Sequence, residues 1–353
     1  MKVFKTLLSM DRSTLKCLIC GRNASCHNYG VLTCNACKMF FRRVVIEQIT
    51  YQCRNWKKCL ENADQFKPRC KACRFEKCVR LGMKLGPIAM EKLYKTKPMS
   101  HPDFATNALI QEVLYLNYTK RYKLCNFYTS ENPTLEEMVQ TTFWSGMKRK
   151  TEKQEISVAE WSFQATYIAV ETFLSLEFMN LIENDEKVVL LRNFSSKSIV
   201  LDSAMRALNA KVDRVTTPDG EDIYSDIILS MFSAGFLNSI QCGLVSRVAE
   251  LKVTELEHAM LSVLLFCNPA IHPLSERTRR LLATRQKSYS STLLQYCLLS
   301  YQQSGPSRFA DLLSISHVIN KTSEDANSLT TLCQLYFPKS KLKHLLIDTC
   351  INA

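Results

Sequence analysis

The sequence predicts a small metal-stapled α module with two four-cysteine sites, followed by an all-α domain. Three observations carry that expectation. Ten of the sixteen cysteines lie in the first 78 residues, eight of them at paired spacings. Positive charge gathers in the same region: residues 1–97 hold 21 Lys/Arg against 6 Asp/Glu, and the remainder hold 25 against 27. From about Leu109 onward apolar residues recur at helical spacing, with few glycines and no alternating strand run.

The chain has 353 residues and a formal net charge of +13, which allows two ordinary domains. Charge confined to one quarter suggests a polyanion-binding module joined to a nearly neutral domain, rather than a uniformly solvated lysine surface. Residues 1–16 read as a short tail whose MKVFKTLLSMDRST has no apolar core of signal-peptide length. No apolar run reaches the roughly 18 residues a spanning helix needs, so no membrane partner is expected. Clustered cysteines then point to a reducing compartment and to metal rather than to disulfides.

Residues 17–83 form the first expected domain. Its cysteines fall as Cys17-x2-Cys20-x13-Cys34-x2-Cys37 and Cys53-x5-Cys59-x10-Cys70-x2-Cys73. Two complete quartets make two tetrahedral thiolate sites for two structural Zn2+ ions, with no open position for catalysis. Cys26 and Cys78 are left over, and Cys78 is expected to pack rather than ligate. His27 is not needed as a ligand. The stretch CNACKMFFRRVV, placed on a helix from Asn35, puts Asn35, Lys38, Met39 and Arg42 on one side. Cys37, Phe40, Phe41, Val44 and Val45 fall broadly opposite. A helix with that polar face suits the DNA major groove, where side chains reach base edges. In CKACRFEKCVRLGM, the apolar Ala72, Phe75 and Val79 are expected to pack on the first helix's aromatics, with Gly82 as the stop. Arg74, Lys77 and Arg80 are candidates for phosphate contacts.

Residues 84–108 carry three prolines and no clear period, and read as a hinge. Residues 109–353 read as one helical domain, with segments such as FLSLEFMNLIENDEKVVLLRNF and VTELEHAMLSVLLF. A short piece near Asp219-Gly220 reads as a strand or a turn. A RING-type interaction module would need a C-x-H step, which the sequence lacks. An enzyme would need an open metal site, a phosphate loop or a partnered nucleophile. None is present, and His258, His272 and His317 read as surface or satisfied core residues.

Across Cys17–Met83 the chain resembles the DNA-binding domain of nuclear hormone receptors. The stretches that carry the resemblance are C-x2-C-x13-C-x2-C, YGVLTCNACKMFFRR, Y-x-C-x5-C and CKACRFEKCVRLGM, with CNACKxFFRR closest to the nematode branch. The resemblance implies a treble-clef-like two-zinc module, double-stranded DNA as partner and the nucleus as location. It implies base-edge contacts at Lys38 and Arg43, and phosphate contacts at Tyr29, Arg42 and Arg74. The family's reading positions correspond to Asn35, Ala36 and Met39, which differ from its common Glu, Gly and small residue. Asn35 reads either as a base contact or as a helix cap. Asn28 replaces a frequent histidine, and the Cys59–Cys70 spacing is one residue longer than expected. RNWKK, residues 54–58, sits where the family makes dimer contacts; Trp56 would serve a partner or pack locally.

The later chain resembles the family's ligand-binding domain, a helical sandwich, more thinly. Phe178, Leu181, Asp185, Val189 and Leu190 match its signature, with Glu186 for Gln and Phe194 for Trp. The resemblance implies a Glu257–Arg308 ion pair, transcriptional coregulators and a small lipophilic ligand. It places Phe173 where a basic coregulator clamp is usual. The tail offers Leu345, Leu346 and Asp348 as a shortened coregulator surface, or as a mere cap on the core. The function implied is a DNA-binding transcription factor open to regulation by ligand; the alternative is a ligand-independent orphan acting as a constitutive regulator or repressor.

Overall fold

The structure is a computed structural model that describes residues 16–24, 26–46, 49, 51, 53, 59, 70–83, 104–141, 146–150, 156–337 and 342–351. The chain separates into two compact units, residues 1–108 and 109–353. Trp56 and the rest of RNWKK lie outside the described residues.

The N-terminal unit opens with the hairpin β1 (Cys26–Asn28) and β2 (Val31–Thr33), in which Asn28 pairs with Val31 across a two-residue loop. Both loop residues have positive φ, 58° at Tyr29 and 87° at Gly30, the geometry that matches the strands' right-handed twist. Tyrosine in that region is strained by about 1 kcal/mol or more. Its ring packs on Phe41 at 5.7 Å. Asn28 is buried, and its amide donates to the Thr33 carbonyl and hydroxyl, tying the hairpin's two ends. Helix α1 spans Asn35–Ile46 and α2 spans Lys71–Arg80. They pack through Phe41 and Phe75, whose rings stack at 5.8 Å. Helix α2 ends where Gly82, at φ 85°, lets Gly82 N–H reach the Val79 carbonyl and Met83 N–H reach the Cys78 carbonyl. That is the reciprocal bonding of a left-handed helix stop. Cys78 is fully buried, as expected for packing.

Helix α3 (Phe104–Asn126) leads into the C-terminal unit and begins five residues inside the stretch that reads as hinge. Pro102-Asp103 is a helix-start signature, and no Pro or Gly follows until Pro133. A two-residue ladder joins β3 (Phe127–Tyr128) to β4 (Lys148–Arg149). The helices then follow as α4 (Leu135–Gln140), α5 (Val158–Leu174), α6 (Asn184–Ala210), α7 (Asp226–Met231), α8 (Ala234–Gln241) and α9 (Gly243–Glu250). After them come α10 (Glu255–Phe266), α11 (Glu276–Tyr301), α12 (Gly305–Tyr336) and α13 (His344–Leu346), which widens into a π-type turn through Ile351. Helix α6 is the central element, packed against α4, α5, α9, α10 and α12. The piece near Asp219-Gly220 is a turn, with Gly220 at φ 99° and a bridge between Thr216 and Asp222.

The two departures in the signature have physical reasons. Glu186 accepts from Ser275 N–H at 2.5 Å and from Thr278 Oγ1 at 2.6 Å, so this position uses acceptors only and an acid serves it. Phe194 meets Phe173 edge-on at 5.2 Å and Phe266 at 5.7 Å, while Phe173 stacks on Phe266 at 4.5 Å. The three rings form a buried aromatic knot.

Candidate metal centres and nucleic-acid interface

The eight cysteines gather into two groups, Cys17/Cys20/Cys34/Cys37 and Cys53/Cys59/Cys70/Cys73, with all sulfurs of each group within 4.8 Å of one another. Local backbone sets each corner. Cys17 and Cys20 flank a tight turn closed by Gly21 N–H on the Cys17 carbonyl at 2.8 Å, with Gly21 at φ 69°. Cys34 precedes α1 and its carbonyl accepts from the N–H groups of Cys37 and Lys38, each at 3.0 Å. Cys70 holds the same place before α2, accepting from Arg74 N–H at 2.9 Å. The Cys34/Cys37 and Cys70/Cys73 pairs thus stand at the first turns of α1 and α2, and each is joined by two sulfurs from earlier in the chain.

The sulfurs fit zinc. Sulfurs about 2.3 Å from a tetrahedral zinc lie about 3.8 Å apart. The observed separations are 3.5 Å for Cys20–Cys34, 3.7 Å for Cys53–Cys59 and 3.5 Å for Cys53–Cys73. Four cysteine sulfurs gathered this closely make the donor set of a structural zinc site. Four thiolates fill all corners, and zinc there would supply structure and no open coordination position.

Helix α1 divides in part as its sequence implies, Phe40 and Val45 of the expected back face being only half-buried. Cys37, Phe41 and Val44 are buried; Asn35, Ala36, Met39 and Arg43 are exposed, Met39 to 47 %. Lys38 and Arg42 are half-buried beside them. Asn35 is the first helical residue, one place past Cys34 at the cap. On α2, Lys77 is half-buried and Arg80 exposed. Arg74 is engaged within the module. Its guanidinium lies 4.4 Å from the Phe40 ring and its Nη2 donates to Cys37 Sγ at 3.3 Å. It thereby bridges α2 to the first sulfur cluster, a role its charge alone did not suggest.

In the C-terminal unit, α5, α6, α12 and the segment 215–228 line a cavity of about 460 Å³, to whose wall Leu346 and Cys350 of the tail contribute. Its wall is mainly apolar, and Arg206 is the single Lys, Arg, Asp or Glu among the described lining residues. Arg206 Nη2 donates to the Thr216 carbonyl at 3.0 Å, and burial lowers its pKa. Glu257, wholly buried, receives both Nε and Nη2 of Arg308 at 2.8 and 2.6 Å, and Tyr301 O–H at 3.0 Å. Burial opposes the Glu257 charge, but Arg308 and the N–H and hydroxyl of Thr254 hold its carboxyl below the usual value. The tail residues Leu345 and Leu346 are buried in the core rather than displayed on a surface. Asp348 Oδ2 accepts from Leu135 N–H at 2.9 Å.

A family model described as a double treble clef zinc finger of C4 type matches residues 15–85. A second, the ligand-binding domain of nuclear hormone receptors, matches residues 146–336. Among curated relatives, Nuclear hormone receptor family member nhr-51 of Caenorhabditis elegans is 34 % identical over 95 % of this chain and 90 % of its own length. Members nhr-167 and nhr-52 of the same organism are 34 % and 31 % identical, over 94 % and 96 % of this chain and 96 % and 100 % of their own.

The chain belongs to the nuclear hormone receptor family. It is a zinc-stabilised, DNA-binding transcription factor with a helical ligand-binding domain, and not an enzyme. Members of the family are generally nuclear. No helix among the described residues is long and apolar enough to cross a membrane. Sequence reasoning about the receptor missed three features. One is the buried Lys120–Asp202–His258 cluster, with contacts of 2.7 and 3.0 Å. Another is Arg206 at the cavity wall. The third is α4, whose signal was a T-x-x-E box before two apolar residues.

Proposed function

We propose that the receptor acts in the nucleus by reading a DNA half-site that departs from the family's usual AGGTCA. Residues 17–83 would be the DNA-binding domain after a tail of 1–16, with 84–108 as a hinge whose last five residues already open α3, and 109–353 as the regulatory domain. Lys38 and Arg43 would reach base edges; Tyr29, Arg42, Lys77 and Arg80 would contact phosphates, with Arg74 adding what its internal bonds leave over. The observation that carries this reading is the exposed face of α1, where Asn35 and Met39 stand clear of the buried side. An asparagine amide pairs in both directions with adenine, and Met39 offers apolar surface to a thymine methyl. Cys34 occupies the cap, which supports base reading over capping for Asn35.

The test is selection of bound sequences by the full chain and by the triple variant Asn35→Glu, Ala36→Gly, Met39→Gly. The variant should move toward AGGTCA, each exchanged base contact being worth about 1–3 kcal/mol. An unchanged selection would assign the readout to Lys38 and Arg43 alone.

The apolar cavity supports a small lipophilic ligand as regulator, and a volume of about 460 Å³ lies in the range of such sites. A second reading, ligand-independent regulation or repression, is favoured by a specific observation: Phe173 is buried where the family's basic clamp stands, and Asp348 is already bonded within the chain.

A further inference from the structure

Helix α4 has six residues, too few to persist alone in water. Yet Leu135 and Met138 are 0 % exposed and Val139 9 %. These positions, i, i+3 and i+4, form one stripe on the helix. The helix packs against α5 and α6. Its first turn is closed twice. Thr134 and Glu137 make a reciprocal capping box, with bonds of 3.1 and 2.8 Å. Asp348, from the far end of the chain, accepts the Leu135 N–H at 2.9 Å. Alongside, Arg192 of α6 meets Glu136 at 3.2 Å. The tail also holds the segment leading in: Lys343 Nζ reaches the Glu131 carbonyl at 3.3 Å, and His344 N–H reaches Asn132 Oδ1 at 2.8 Å.

These are the features of a docked peptide rather than of a framework helix. A short amphipathic helix lies on two long helices and a terminal tail, with an acid at its positive end. The groove also contains the tail residues nominated as a partner surface, and Leu345 and Thr349 beside Asp348 are fully buried.

We propose that α4 is a resident occupant, in cis, of the receptor's helix-docking groove. The partner that fits the groove is another short amphipathic helix with apolar residues at i, i+3 and i+4, and it binds by displacing α4. Tethering gives α4 an effective concentration in the millimolar range, so a free helix competes poorly until α4 is loosened. The groove then recruits partners only weakly in the resting chain. The inference rests on the reading of the C-terminal unit as a coregulator-binding domain, but DNA selection does not depend on α4, so the two fail separately.

The experiment measures binding of a fluorescein-labelled peptide of residues 130–141 to the full chain by anisotropy. Wild type should bind weakly. The double variant Thr134→Ala, Glu137→Ala removes the capping box from α4 alone and should bind the peptide roughly five- to tenfold more tightly. Leu135→Ala, Met138→Ala, which strips the stripe, should bind more tightly still; if that chain fails to fold, the capping variant carries the test. Equal affinity in wild type and the capping variant would overturn the proposal. So would absence of binding by a capping variant that keeps wild-type helicity.

Discussion

Among the described residues of the N-terminal unit, Ile19, Ala24, Val31, Phe41, Val44, Phe75 and Met83 are the buried apolar side chains besides the cysteines, and two sulfur clusters stand beside them. In the C-terminal unit a continuous core runs from Val113 to Leu346, with ion pairs such as Glu257–Arg308 and Lys120–Asp202 inside it. A module the size of the N-terminal one buries only about 60 % of the surface its unfolded chain exposes and is marginal on apolar contact, so metal ligation adds directly to its folding energy. The contrast teaches that one unit's stability is linked to metal and the other's to side-chain packing. Perturbations should therefore sort cleanly between them.

The largest expected effect comes from metal removal. A chelator should abolish DNA binding and open residues 17–83 to protease, because zinc contributes roughly 10–16 kcal/mol in comparable small folds. The C-terminal unit should keep its thermal transition and its protease-resistant fragment. A module that stays resistant without metal would break the comparison.

Next is Arg308→Met, which leaves Glu257 wholly buried without its cation. Breaking such a pair costs about 3–5 kcal/mol. The urea midpoint of the C-terminal transition should fall, while metal-dependent DNA binding persists.

Acid should act more gently. Burial tends to raise the Asp202 carboxyl, but Lys120 and His258 overcome it and hold it at about 2, below its ordinary 3.8. A depressed carboxyl binds fewer protons when folded, so its contribution is present above pH 3.8 and is lost as pH falls through 2. The loss is worth about 2 kcal/mol. Denaturation curves of the C-terminal transition from neutral pH to pH 2 should show it, and Asp202→Asn should flatten that part of the profile.

Much of this was legible in the sequence, for reasons that differ by residue. The cysteine quartets, the Gly82 stop and the two faces of α1 are local patterns, set by tetrahedral coordination and a helical period. The Glu257–Arg308 pair was legible only through the family resemblance. What escaped was long-range. Nothing near Leu135 announces that its N–H meets Asp348, more than two hundred residues later. Phe173 read as a missing clamp residue, because its place in a knot with Phe194 and Phe266 depends on three separate helices. For Arg74, read as a phosphate contact, the sequence showed the charge but not the Phe40 ring beneath its guanidinium.

The division of α1 into a buried and an exposed face has an evolutionary consequence. Cys37, Phe41 and Val44 hold the metal and the fold, while Asn35, Ala36 and Met39 touch neither. Exposed substitutions of this kind usually change stability by no more than about 0.5 kcal/mol. With these three positions reading bases as proposed above, duplicated copies of such a gene would exchange one DNA address for another without passing through an unfolded intermediate. A lineage of receptors built on this helix is free to diversify in what it reads while remaining uniform in how it folds.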